Sequence, residues 1–447
     1  YSVVLMRGTK MKKPKAVPQS FLTRGAKLFK SSALMVTQEI AARTLASLSK
    51  KNPEGMAETR IKQALELVST LGDLRGAAMK AGQLLSLELS DLLPKEVVTI
   101  LSQLHDQSSQ IPFSDVKKIL IKELGEEKFS KLIHLSHEPI AAASIGQVHS
   151  ATINGQKVAI KVQFPGVAKS IDNDLAVLKK IVQGLLFAFG KSSMRLEDIF
   201  LEIKTSLKKE VDYHLEAASI REFQEAFADD KRFVIPQVFS EFSSKRVLTM
   251  SFESGTRIRE WLNSEPEAKQ VKVFSDLVLS LLIKEFFELG MMQTDPNYGN
   301  FLYRQDLGQI VLLDFGATKT FSKKFRKDLI RLIKTAETSN DAALISCANS
   351  LGLIDPRENE NVEKEFIRLM SLVTFMFREE NQPFSFNNPE YLQNVRSTTL
   401  TLIRNVHYSA PARQLIFLNR KLGGMFHLLK EAGGKINMRP YWEKVNK

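Results

Sequence analysis

The chain has 447 residues, 43% of them hydrophobic and 25% charged. This is ordinary globular composition, with material for two or three domain-sized units. A single cysteine, Cys347, excludes an intramolecular disulfide and any cysteine-based zinc cluster, and it fits a reducing compartment. The net charge of +13 is concentrated in residues 1–51, where eleven Lys/Arg face one acidic residue, Glu39.

Three readings of this basic arm stay open: a solvated tail, a contact with anionic membrane lipid, or an organelle-targeting segment. At an anionic surface each basic residue contributes on the order of 1 kcal/mol, so the cluster is large enough for peripheral anchoring. Lysine outnumbers arginine before residue 38, which argues against a mitochondrial presequence. No nucleic-acid recognition motif accompanies the arm, and no nucleic-acid partner is expected. The longest apolar stretches, near Ile181–Gly190 and Phe366–Phe377, are too short or too interrupted by charge to cross a bilayer.

Residues 52–125 read as a helical extension. Ala64, Leu67, Val68, Leu71 and Leu74 recur at helical spacing between Pro53 and Leu93. Pro94 restarts a second helix, and Ser114 with Asp115 caps a third that ends near Gly125. Residues 126–253 read as a smaller mixed lobe. Strands Ile145–Ile153 and Lys157–Phe164 flank Asn154-Gly155, a hairpin turn signal. Helices follow from Lys169 to about Gly190 and from Leu196 through Phe227, then strands Val234–Phe239 and Arg246–Phe252. Residues 254–447 read as a helical lobe. A long helix over 267–290 ends at Gly290, strands Phe301–Arg304 and Ile310–Leu313 follow, and helices run from about Lys323 onward. The expected fold is α+β and two-lobed.

Four motifs carry the chemistry: Val158-Ala-Ile-Lys161, Glu216, Asp295-Pro-Asn-Tyr-Gly-Asn300 and Asp314-Phe-Gly316. Their order is that of a kinase-type phosphoryl-transfer site. Such a site grips phosphates, neutralises their charge with metal and aims a nucleophile in line. Lys161, at the end of an apolar strand, suits the α/β-phosphates of ATP; the alternative is a lysine snorkelling out of a buried strand. Glu216, on a helix, is a candidate ion-pair partner for that lysine or an ordinary exposed glutamate. Asn300 and Asp314 offer the hard oxygen ligands that Mg²⁺ prefers. Asp295 stands where a nucleophile-orienting base is needed, its plain alternative being an Asp-Pro turn residue.

Departures from an ordinary protein kinase are as telling. Ala141-Ala-Ala-Ser-Ile-Gly-Gln147 replaces a glycine-rich loop, and alanine does not readily enter the positive-φ conformations such a loop uses. A tightly packed alanine-rich turn fits the same sequence. Met-Gln-Thr precedes Asp295 where His-Arg is usual, and the short stretch after Gly316 leaves no room for a long activation segment. Protein phosphorylation is therefore disfavoured.

These residues resemble the UbiB family of atypical kinases, also called the ADCK or coenzyme Q protein kinase-like family. Lys80-Ala-Gly82-Gln83 matches its KxGQ motif, Ala141–His149 its alanine-rich loop and Glu210-Val-Asp212 its ExD motif. MQTDPNYGNF and LLDFGATK match its catalytic and metal loops. The resemblance implies a kinase-like fold in which the KxGQ helix covers the active site. Lys80 and Gln83 would then face the nucleotide, with Glu210 and Asp212 as electrostatic partners and Ala141, Ala142, Ala143 and Ser144 in the nucleotide loop. It further implies ATP and Mg²⁺, and an ATPase role supporting ubiquinone biosynthesis beside other quinone-pathway enzymes and lipids. The implied place is peripheral, at the cytoplasmic face of a bacterial inner membrane or the matrix face of a mitochondrion.

Overall fold

The computed structural model describes residues 77–88, 110–143, 145–188, 196–295, 297–338, 340–406 and 413–446. The basic arm, most of the 52–109 stretch and Ser144 lie outside the described residues. The chain divides into two compact units, one drawn from Tyr1–His214 with Phe239–Phe252, the other from Leu215–Val238 with Glu253–Lys447.

The first unit is built on strands β1 (Ala141–Ala143), β2 (Gly146–Ile153), β3 (Gln156–Gln163) and β5 (Val247–Ser251), ordered β1-β2-β3-β5 and antiparallel throughout. Asn154 and Gly155 turn the β2–β3 hairpin with φ of 50° and 78°, the double positive φ that a two-residue turn of this twist requires. Central strand β3 is buried on both faces from Val158 to Gln163. Among the described residues the unit also holds helices α1 (Ala77–Glu88), α2 (Phe113–Leu124), α3 (Val167–Ala188) and α4 (Glu197–Glu210), with a five-residue helix at Glu126–Ser130, and α1 packs on α3 and α4.

The N-terminal end of α2 is tied to β2 through side-chain hydrogen bonds. Gln147 Oε1 accepts from Ile111 N at 2.9 Å, and Gln147 Nε2 lies 2.8 Å from His149 Nε2. His149 Nδ1 is 2.8 Å from the Ser136 carbonyl, so these partners are satisfied with the proton on Nδ1. Burial pushes the His149 pKa below its usual value, the Ser136 bond opposing.

The second unit holds the sheet β4-β9-β8-β6, from β4 (Phe233–Val234), β6 (Thr256–Arg257), β8 (Phe301–Arg304) and β9 (Gln309–Leu312). Strand β7 (Met291–Gln293) pairs antiparallel with β10 (Thr318–Thr320). Helix α5 spans Tyr213–Ala226. Helices α6 (Ile258–Asn263), α7 (Ala268–Leu282), α8 (Lys323–Glu337), α9 (Asp341–Ser350), α10 (Glu360–Phe375), α11 (Pro389–Asn405), α12 (Arg413–Ala432) and α13 (Arg439–Asn446) supply the rest, with a two-residue strand pair, β11 (Phe384–Ser385) and β12 (Lys435–Ile436). Leu332, Leu344, Cys347, Val362 and Phe366 form one core among α8, α9 and α10. Phe286, Met292, Phe321, Phe325 and Phe417 form a second, each such side chain contributing about 1.5–3 kcal/mol by burial.

Local readings differ from the structure in four places. Pro112, not Ser114, precedes α2, with no side-chain cap, while Gly125 ends the helix as expected. The stretch 196–227 is two helices: it breaks at Val211, whose carbonyl accepts from Gln163 Nε2, and Asp212 Oδ1 then accepts from His214 N and caps α5. The strand over 234–239 shrinks to Phe233–Val234 because Pro236 has no N–H for a ladder. The long helix over 267–290 winds into a π-helix at Ile283–Leu289 before Gly290 ends it at φ 69°.

Candidate active site

In the first unit, Lys161 sits on β3 opposite Val148 of β2 and Leu248 of β5. It is 6% exposed, so its side chain does not run out to bulk water. Ala141, Ala142 and Ala143 form the edge strand β1, paired with Val148, Gln147 and Gly146. Ala141 and Ala142 are exposed, so these alanines form an open strand edge rather than a packed turn. Gly146 is required by close approach: a Cβ there would fall well inside contact with the Val162 carbonyl oxygen and 3.1 Å from Tyr213 Oη.

On α1, Lys80 is buried with its Nζ 3.6 Å from Glu210 Oε1 at the end of α4. Gly82 is also buried; the side chain of Gln83 lies outside the described residues. Asp212 makes an ion pair with Lys245 at 3.3 Å. The KxGQ and ExD motifs therefore meet through Lys80 and Glu210.

In the second unit, Glu216 is 4% exposed and its Oε1 accepts from Phe315 N at 3.3 Å. The helix glutamate thus holds the Asp-Phe-Gly turn itself. Phe315 is buried edge-on against Phe223 of α5, ring centres 5.0 Å apart. The β8–β9 hairpin does the central positioning. Phe301 pairs with Leu312, and Leu313 N donates to Asn300 O at 2.9 Å. Asn300 and Asp314 consequently flank the same hairpin end, although fourteen positions apart in sequence. Asp314 Oδ1 accepts from Gly316 N at 2.9 Å. Asp295, 5% exposed, accepts from Asn297 N at 3.2 Å, and Asn297 O accepts from Asn300 N at 3.0 Å. Hydrogen bonds therefore link Asn297 to both Asp295 and Asn300.

Only Ala317–Ser322 separate Gly316 from α8. Part of that stretch is β10, whose Thr318 lies opposite Gln293 of β7.

The donor set fits a magnesium-bound triphosphate. Asn300 Nδ2 is buried without a hydrogen-bond partner, an amide end suited to a phosphate oxygen, which would leave Oδ1 for a cation. Among the described residues no three His, Cys, Asp or Glu gather into a metal cluster. A cation here would draw on Asn300 and Asp314 and on phosphate oxygens, the usual habit of Mg²⁺.

Sequence reasoning missed a second polar group beside this loop. Glu285, on the π-helix, lies 2.9 Å from Lys421 on α12, both essentially unexposed. Lys421 also donates to Gln293 Oε1 at 3.3 Å, and Arg420 Nε donates to Thr294 O at 3.1 Å. Burial pushes the Glu285 pKa up, with the Lys421 ammonium opposing. Glu285, beside Lys284 in the otherwise apolar stretch Leu281–Phe287, was the available signal; its partner lies far along the chain.

A family model described as the ABC1 atypical kinase-like domain matches residues 103–348. The chain belongs to this family. Among ABC1 relatives, the Saccharomyces cerevisiae protein "Atypical kinase COQ8, mitochondrial" is 30% identical over 444 residues, covering 97% of this chain and 86% of that one. The Danio rerio protein "Atypical kinase COQ8B, mitochondrial" is 30% identical over 381 residues, covering 84% of this chain but 60% of its own length. The Caenorhabditis elegans protein "Atypical kinase coq-8, mitochondrial" is matched over 52% of its length, so the chain spans little more than half of some relatives. Among solved structures, the Mycobacterium tuberculosis Rv3197–erythromycin complex aligns with TM-score 0.59 and 26% identity, covering 87% of this chain and 97% of that one. The fold is α+β and kinase-like, as the motif order leads one to expect. No helix among the described residues is long and apolar enough to cross a membrane.

Proposed function

We propose that this ABC1-family chain is a Mg²⁺-dependent, ATP-using atypical kinase, acting as an ATPase in support of ubiquinone biosynthesis at a membrane surface. The observation that carries the reading is the β8–β9 register, which sets Asn300 beside Asp314 with Asp295 on the same turn. Asp314 and Asn300 would hold the metal, which when bound supplies charge neutralisation at the phosphate oxygens. Lys161 would contact the phosphates, with Glu216 as its proposed ion-pair partner in addition to its bond from the Phe315 amide. Asp295 orients the attacking oxygen and accepts its proton. Lys80, Gln83, Glu210 and Asp212 form the KxGQ–ExD contribution to nucleotide selection, and Ala141 to Ser144 the nucleotide-loop contribution.

The short Ala317–Ser322 stretch supports an acceptor other than protein, because a peptide-docking activation segment has no length to form. The mitochondrial names of the relatives support a place at the matrix face, with quinone-pathway enzymes and anionic lipid as partners and no transmembrane anchor in the described residues. The test is Mg-ATP hydrolysis with and without anionic liposomes. Lipid-stimulated phosphate release that disappears in Asp314→Asn is the expected result. Labelled γ-phosphate on an extracted metabolite would replace it with a small-molecule or lipid kinase. Tight ATP binding without turnover under any condition would leave a nucleotide-binding scaffold.

A further inference from the structure

The residues just before Asp295 are held from below by a buried charged pair that the roles above do not use. Glu285, Gln293, Thr294 and Lys421 are each at most 1% exposed. Glu285 lies in the π-helical turn, a local irregularity that natural helices keep mainly where function needs it. Its Oε1 accepts from Gln293 N at 3.3 Å, and its Oε2 meets Lys421 Nζ at 2.9 Å. Lys421 also donates to the Gln293 side chain. One residue on, Thr294 donates through N and Oγ1 to the Ala317 carbonyl at 3.1 and 2.7 Å. Its own carbonyl accepts from Arg420. Both residues preceding Asp295 are thus bonded on several sides.

Stability does not account for such a pair. Desolvating a carboxylate and an ammonium costs several kcal/mol per ion, and apolar residues of similar volume usually serve a core as well or better. What an apolar pair would lack is the direction imposed on the Gln293 amide and side chain. We propose that Glu285 and Lys421 are positioning residues that fix the main chain at Gln293–Thr294 and thereby aim the Asp295 carboxylate relative to Asn300 and Asp314. This rests on the reading of Asp295 as the group that orients the nucleophile.

The experiment compares the full chain with Asp295→Asn, with the double variant Glu285→Leu/Lys421→Met, and with the triple variant. The double variant removes both charges at nearly constant volume, so no lone charge is left buried. Readouts are the melting temperature, ATP affinity by titration, and kcat and KM for Mg-ATP. The expected double variant melts near wild type and binds ATP normally, yet loses kcat by up to about 100-fold, the cost of a displacement near 1 Å. The triple variant is expected to match Asp295→Asn alone, because no carboxylate remains to be aimed.

Wild-type kcat in the double variant overturns the proposal, as does a collapsed melting temperature or lost ATP affinity, since the pair is then merely structural. A triple variant well below Asp295→Asn overturns it too, by placing the pair's effect elsewhere. Wild-type turnover in Asp295→Asn removes the underlying reading, and the proposal with it. That failure is distinguishable, because the other outcomes leave Asp295→Asn impaired.

Discussion

Gly146→Ala tests how the alanine-rich segment is built. The added methyl carbon would lie 3.1 Å from the Val162 carbonyl carbon and from Tyr213 Oη, and closer still to the carbonyl oxygen. The obstacle is main chain, so no side-chain rotation relieves it. The end of the β2–β3 ladder must open, at risk to the Gly146–Gln163 pairing and to the bond from Phe164 N to Ile145 O. One or two lost hydrogen bonds at about 1 kcal/mol each, with about 1–2 kcal/mol of overpacking strain, predict a loss of ~2–4 kcal/mol. For a unit of this size the melting temperature should fall by roughly 5–15 °C. Differential scanning calorimetry reads this directly. A variant melting within about 2 °C of wild type, less than 1 kcal/mol predicts, would refute the argument.

Asn300→Ala removes one candidate metal oxygen. It should raise the Mg²⁺ concentration needed for half-maximal turnover while leaving ATP binding in EDTA unchanged; an unaltered Mg²⁺ dependence would exclude Asn300 as a ligand. Lys161→Met and Glu216→Gln should each depress turnover, the double variant being no worse than the weaker single, and fully additive effects would separate the two roles. The folded pKa of His149 lies below the ordinary imidazole value of 6.5, so the unfolded chain takes up that proton first as pH falls. Stability should therefore decline below pH 6.5, with a shallower slope in His149→Gln, as measured by melting between pH 7.5 and 5.5. Asp230, held at about 2 by Arg232, titrates in a separate window, its contribution lost only as pH falls from 3.8 toward 2.

The elements that could be read from sequence are those whose cause is local. Asn154-Gly155 announced its hairpin because both positions require positive φ. Gly290 and Gly125 announced helix ends for a related reason. Ser114 misled because Pro112 already fixes the entry backbone, so the hydroxyl caps nothing. The break at Val211 escaped notice because its decisive bond comes from Gln163 on another element. Candidate residues of the second unit were legible as a motif order, but their juxtaposition was not: the hairpin register sets Asn300 beside Asp314. Glu285 and Lys421 were invisible for the opposite reason, since a buried pair contributed by distant helices has no spacing signature. Lys80 is set apart in the sequence only by family resemblance, and its contact with Glu210 explains why a lysine is tolerated there at 7% exposure.

The short ladder between β7 and β10 limits what this protein is free to move. It stitches the strand leading into Asp295 to the strand leaving Gly316, while Thr318 is anchored back to the Phe315 carbonyl through N and Oγ1. A swinging loop that toggles between inhibited and competent poses needs slack, and here the cord is knotted at both ends. The segment most kinases use as a latch is here part of the fixed frame.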